Sequence, residues 1–219
     1  MRGNFDLSTE RHRMKDKEEI WDERLQISTV GRDDLIADEY RYPYEPTPYG
    51  VLERLADSGL IRVGDRVLDY GCGKGRVDFF LAHMTNARTV GIEYDPRIYQ
   101  KALDNRQTSI AGEGVELVLG RAEEYEPDAE VRHCYFFNPF SVEILRGVMA
   151  RLLDSYYAAP REILLYFYYP SDEYIAYLMT VDELDFYDEI ECDDLFPVKD
   201  RRERILIFSL PDYSDEETE

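Results

Sequence analysis

The chain has 219 residues, 44% of them hydrophobic, and carries 47 acidic against 26 basic side chains for a net charge of −21. That suits one domain with a buried core and excludes wholesale disorder; with no apolar run near the roughly 18–20 residues of a membrane span, no leader-like start, three scattered cysteines and three histidines, it implies a cytoplasmic protein without a membrane segment, disulfide framework or metal site. Nucleic acid calls for a basic patch, and the only dense basic stretches are 11–17 and 199–204, so nucleic acid is disfavoured and a small molecule or basic protein is the expected partner.

Residues 1–40 are charged and weakly periodic. Met14, Trp21 and Leu25 share one face of a short helix, which suits a docking helix, a lid or a partner-binding arm. Three prolines in Tyr42-Pro43-Tyr44-Glu45-Pro46-Thr47-Pro48-Tyr49 hold the next stretch extended. It is either a rigid connector or an aromatic loop lying over a ligand. Thr47 predicts a helix N-cap with Pro48 at the first helical position, and Val51, Leu52 and Leu55 supply the buried stripe.

Residues 66–76 read Arg-Val-Leu-Asp-Tyr-Gly-Cys-Gly-Lys-Gly-Arg. A short strand ends near Asp69, and Gly71, Gly73 and Gly75 follow at alternate positions. Glycines so placed mark a turn with positive φ, or a backbone that a ligand approaches closely. Val77, Phe79, Phe80, Leu81 and Met84 then predict a helix, which completes the strand, glycine loop and helix of a nucleotide-binding α/β unit. A dinucleotide fingerprint would set its third glycine at position 76, where Arg76 stands, and this spacing argues against a nicotinamide oxidoreductase.

A second buried strand over 88–94 ends in Glu93, where a doubly wound sheet brings its carboxylate beside the first strand and within reach of ribose hydroxyls. Asp95 and Pro96 cap and open the next helix, with Ile98 and Ala102 on its buried face. Strands follow over 115–120 and 131–137, the latter running into Asn138-Pro139-Phe140. Ser141 caps a helix buried through Leu145, Val148, Met149, Leu152, Leu153 and Tyr156. A fifth strand over 162–169 and a helix opened by Ser171 come next. Two last strands, 184–190 and 204–209, have no long helix between them and predict an antiparallel pair. The pattern gives one α/β domain over 41–210, an arm over 1–40 and an acidic, disordered tail over 211–219.

The G-x-G-x-G spacing with an acid two residues before it resembles motif I of the class I S-adenosylmethionine (SAM) methyltransferases. Residues 66–76, 89–95, 118–125 and 134–140 look like that family's successive motifs. The Tyr-Glu-Pro-Thr-Pro-Tyr loop, Gly-Lys-Gly-Arg and Phe-Asn-Pro-Phe are similar to a bacterial group that shares features with the non-SET lysine methyltransferases. The resemblance implies a seven-stranded Rossmann-like sheet, helices on both faces and a reversed last strand. It implies SAM as cofactor, with Asp69 on its methionine end, Gly71, Gly73 and Gly75 giving the backbone close approach, Glu93 on the ribose and Tyr94 against the adenine. Relatives carry an acid where Arg121 stands, so adenine recognition is expected to pass to Ala122 and Glu123. Asn138 would sit near the departing methyl, with Tyr49 as a second catalytic residue. Aromatic walls could come from Tyr44, Tyr49, Tyr168 and Tyr169. The implied reaction is in-line methyl transfer to a nucleophile, expected to be nitrogen on a protein or small molecule. A SAM-binding interaction module without catalysis, or an RNA or DNA methyltransferase, are the alternatives.

Overall fold

The computed structural model describes residues 17–32 and 44–212. Met14, Tyr42, Pro43, the basic stretch before residue 17 and most of the acidic tail lie outside the described residues. Helix α1 spans 17–25, α2 is Tyr49–Asp57 and β1 is Arg66–Tyr70, followed by α3 (Arg76–Thr85), β2 (Arg88–Glu93), α4 (Pro96–Thr108) and β3 (Val115–Leu119). The second half runs β4 (Val131–Phe136), α5 (Val142–Ala158), β5 (Ile163–Tyr168), α6 (Asp172–Leu178), β6 (Asp185–Glu191) and β7 (Arg204–Leu210).

The seven strands form one sheet in the order β3-β2-β1-β4-β5-β7-β6. All neighbours are parallel except β7, which runs antiparallel to both β5 and β6, as the missing crossover helix predicts. From β1 the chain winds outward to β3, then returns to lay β4 on the other side of β1. The reversal opens a crevice at the carboxyl ends of β1 and β4, where sheets of this kind bind ligands.

Strand alternation divides the core between the two faces. On β5, Leu164 and Tyr166 face one side with Val51, Leu55, Phe79 and Phe80. Ile163, Leu165 and Phe167 face the other, with Leu145, Val148, Met149 and Leu152 of α5. Burying one such aliphatic side chain contributes about 1.5–3 kcal/mol. On α3 Met84 is 38% exposed, contrary to the periodicity, whereas Arg76, Asp78 and Thr85 are buried with the apolar residues.

Helix α1 docks on the first face. Trp21 sits edge-on to Phe80 at 4.9 Å between ring centroids and stacks with Tyr49 at 5.9 Å. Its indole N–H donates to Glu53 at 2.8 Å. The predicted cap of α2 is corrected here: Pro48, not Thr47, occupies the N-cap position, and it provides no side-chain acceptor. The Tyr49 N–H donates instead to Glu18 of α1 at 3.0 Å. The Thr47 hydroxyl is drawn away to the Tyr135 hydroxyl, 3.1 Å distant. Asp95 caps α4 as expected, accepting from the Arg97 N–H. Ser141 stands at the N-cap of α5 without a side-chain bond to the helix.

At the opposite end of the sheet, buried His133 lies between the Tyr166 hydroxyl and Asp65, 3.0 Å from each. Burial lowers its pKa, with Asp65 partly opposing this. The folded chain therefore binds fewer protons at this ring than the unfolded chain, and the ring's contribution to stability falls as pH drops below about 6.5. In urea titrations, the stability advantage of wild type over His133→Gln is expected to shrink between pH 7.5 and 5. A pH-independent difference would contradict this account.

Candidate functional site

Beyond Tyr70 the chain turns through the glycines into α3. Gly71 and Gly73 have φ of +82° and +58°, outside the range of ordinary L residues. A Cβ on Gly71 would lie 2.6 Å from the Pro139 Cβ, and one on Gly73 would enter the Tyr44 ring. The bare backbone thus lets the Asn138–Pro139 turn and the Tyr44 strap close over the ends of β1 and β4. Gly75 is the N-cap of α3, with Phe79 beside it.

Between these elements lies an open pocket with a cavity volume of about 120 Å³. Asp69, Gly71, Glu93, Tyr94, Ala122 and Glu123 all line it. The remaining residues singled out in the sequence are placed elsewhere. Gly73 and Gly75 back the loop rather than line the pocket. Asn138 stands between two lining residues, Phe137 and Pro139, with φ of +43°. Its buried Oδ1 has no hydrogen-bond partner among the described residues. Tyr49 does not reach the pocket: it is fully buried, its hydroxyl donates to Asp22 at 2.6 Å, and the Arg76 guanidinium covers its ring at 4.3 Å. Of the four tyrosines considered as walls only Tyr44 lines the pocket; the Tyr168 hydroxyl donates to Glu203 at 2.5 Å and that of Tyr169 to Asp200 at 2.8 Å.

The carboxylates define the site's electrostatics. Asp69 is 3% exposed, and its Oδ2 has no hydrogen-bond donor among the described residues. Burial pushes its carboxyl up to about 7, with a hydrogen bond to Asp78 partly offsetting this and Glu93 adding to it. Glu93 accepts the backbone N–H groups of Gly73 at 2.9 Å and Asp95 at 2.7 Å. Burial still raises its pKa, outweighing those donors. Each of its oxygens keeps a second lone pair for a hydroxyl. Arg121 turns outward, 6.0 Å from the Tyr94 ring centroid and 3.8 Å from Glu124. That leaves Gly120, Ala122 and Glu123 to border the pocket at this end.

Several lining residues were not anticipated. Tyr135, Phe137 and Phe140 extend the pocket along β4 and the turn after it, and Glu45 enters from the strap. Alternation along β4 is the signal that could have found Tyr135, since it shares the Asp69-facing register: the two residues pair directly across β1 and β4. Among the described residues no group of three or more His, Cys, Asp or Glu side chains could hold a metal, and no helix is long and apolar enough to cross a membrane.

Comparison with known proteins bears on this geometry. Residues 61–161 match a family model described as a methyltransferase domain. An RNA methyltransferase from Salinibacter ruber, solved with S-adenosyl-L-homocysteine, has a TM-score of 0.57 at 20% identity, over 78% of this chain and 97% of that one. The human methyltransferase 10 domain containing protein reaches 0.62 at 14% identity, over 93% and 98%. Both likenesses are of fold. The ribosomal protein L11 methyltransferase of Aeromonas hydrophila subsp. hydrophila is 32% identical over 73 residues, which is 33% of this chain. This chain spans about a quarter (25%) of that relative's length. One expectation is overturned. An RNA methyltransferase shares this fold, so the acidic composition does not disfavour nucleic acid. A net charge summed over the chain does not report the field at one pocket mouth, and the preference for a basic protein or small molecule rested on that same sum.

Proposed function

We propose, from the premise that residues 61–161 form a class I, Rossmann-like methyltransferase domain dependent on S-adenosylmethionine, that this chain transfers a methyl group to a nitrogen nucleophile. The observation that carries the reading is one pocket at the reversal point of the sheet, with two carboxylates, the buried Asp69 and the half-buried Glu93, toward the ends of adjacent strands. The cofactor supplies an electrophilic methyl on a sulfonium, so the protein's task is positioning and exclusion of water.

The residues present fit that cofactor. Asp69, which lines the pocket without a basic partner among the described residues, suits the ammonium of the methionine end. Glu93 suits the ribose hydroxyls, and the turn from Gly120 to Glu123 borders the adenine. Tyr135, Phe137 and Phe140 give the inner wall that keeps water from the transferred methyl. The unpartnered Oδ1 of Asn138 accepts an N–H from the incoming amine and aims its lone pair. An unmade bond of this kind costs about 1–3 kcal/mol, which the acceptor relieves on arrival.

Asn138→Ala is therefore expected to keep S-adenosyl-L-homocysteine affinity within about threefold while lowering methyl transfer about 100-fold, the scale of lost positioning. Tritiated methyl from SAM, followed into nuclease-sensitive and protease-sensitive fractions of an extract, identifies the acceptor class. Binding without transfer to either would favour an interaction module and contradict the enzymatic reading.

A further inference from the structure

The glycine loop conceals a second acid. Asp78, on α3, is fully buried, and neither of its carboxyl oxygens has a hydrogen-bond donor among the described residues. Nor does the Oδ2 of Asp69. The two carboxyls meet over Gly91, which pairs with Asp69 across β1 and β2 and lies under the Asp78 Oδ2. The space for this comes from Gly91 of β2, where a Cβ would lie 2.7 Å from both the Asp78 Oδ2 and the Cys72 Sγ. No basic side chain pairs with either acid among the described residues. The other groups facing the pair are Glu93 at the end of β2, the Cys72 thiol of the glycine loop, Tyr135 from β4 and Thr89 from β2.

Two adjoining carboxyls with no donor cannot both ionise in such a place, because a bond between them requires a proton. We propose that Asp78 is a positioning residue: it holds the shared proton, donates it to Asp69, and so presents Asp69 to the pocket as a single oriented anion for the cofactor's ammonium. The inference rests on the methyltransferase reading for the identity of that cation. Asp78 itself touches no ligand and is absent from the pocket lining. An aliphatic residue of similar size would fill its buried place without needing a proton.

The arrangement makes cation binding a proton-linked event. Below about pH 7 the pair takes up a second proton, consistent with the value to which Asp69 is raised, and the ammonium must displace it. Calorimetry of wild type with S-adenosyl-L-homocysteine at pH 6.5, in buffers of different ionisation enthalpy, should register release of about one proton per ligand bound. Affinity should weaken toward tenfold per pH unit from pH 7 to 5.5. Asp78→Asn keeps a donor to Asp69 and should keep this profile, whereas Asp78→Val removes the donor that holds the Asp69 pKa down, so its profile should move to higher pH. A purely structural Asp78 would shift affinity equally at every pH.

The proton sharing is also readable with no ligand. A pair that keeps a proton when folded binds more protons than its unfolded form, so its stabilising contribution falls as pH rises from about 4 through 7. The urea midpoint of wild type relative to Asp78→Asn should fall over that range. No proton release by wild type, or an Asp78→Val profile that coincides with wild type, would overturn the proposal. If the ligand fails to bind wild type while the stability difference persists, the methyltransferase reading and the positioning role fall and the shared proton stands.

Discussion

Replacing Asp69 by asparagine is expected to weaken SAM binding by about 30-fold or more while leaving the folded state at least as stable at pH 8. Removing one partner of a buried charge pair costs about 2–5 kcal/mol of binding, which sets that lower bound. Stability moves the other way because this acid is held in the fold at a cost. Burial raises its pKa to about 7, so the folded state binds more protons here than the unfolded chain and loses stability as pH rises from the ordinary carboxyl range through 7. At pH 8 that loss is complete, and a neutral amide relieves it. Calorimetry and urea denaturation on the same sample separate the effects. A variant whose affinity and stability fell together would mark Asp69 as a framework residue and contradict the assignment.

The largest expected effect on stability belongs to Arg76, the residue that stands where a dinucleotide fold has its third glycine. It is 2% exposed. Its guanidinium donates to the Thr29 hydroxyl at 2.6 Å and the Thr47 carbonyl at 3.1 Å, pairs with Glu18, and lies 3.8 Å from Asp22. Asp22 in turn accepts the Thr29 N–H at 2.6 Å and the Tyr49 hydroxyl at 2.6 Å. One cation therefore ties α1, the Thr29 segment, the strap at Thr47 and the first turn of α3 into a single network. Arg76→Ala strands Glu18 and Asp22 in the interior and is expected to cost about 3–5 kcal/mol, a large part of a typical 5–15. Trypsin should then cut at Arg24 or Arg32 far faster than in wild type, because α1 loses its anchor. Arg76→Lys should recover only part of the loss, since an ammonium cannot reproduce the guanidinium fork. Unchanged stability and proteolysis in Arg76→Ala would refute the network's role.

Much of this was legible in the sequence for identifiable reasons. Strand alternation and the acid at the end of each strand locate Asp69 and Glu93, because a parallel sheet leaves few places for a carboxylate to face a crevice. The reversed last strand is legible because no helix separates β6 from β7. What was not legible depended on tertiary partners. Thr47 has the composition of a cap, but a hydroxyl from β4 and a carboxylate from α1 compete for the same groups and win. Tyr49 and Tyr44 look equivalent in the strap, yet helix α2 begins at Tyr49 and turns it into the core. Asp78 reads as one more polar residue on a surface helix, and only its packing over Gly91 of β2 reveals that it is buried. The charge argument against nucleic acid failed because it was global where recognition is local.

The central claim is that the pocket between β1 and β4 is a SAM site. Calorimetric titration of the full chain with S-adenosyl-L-homocysteine, with NADH as control, tests it most directly. The account predicts one site of micromolar affinity for the sulfur nucleoside and no heat from NADH. Binding of NADH, or of neither compound, would contradict it.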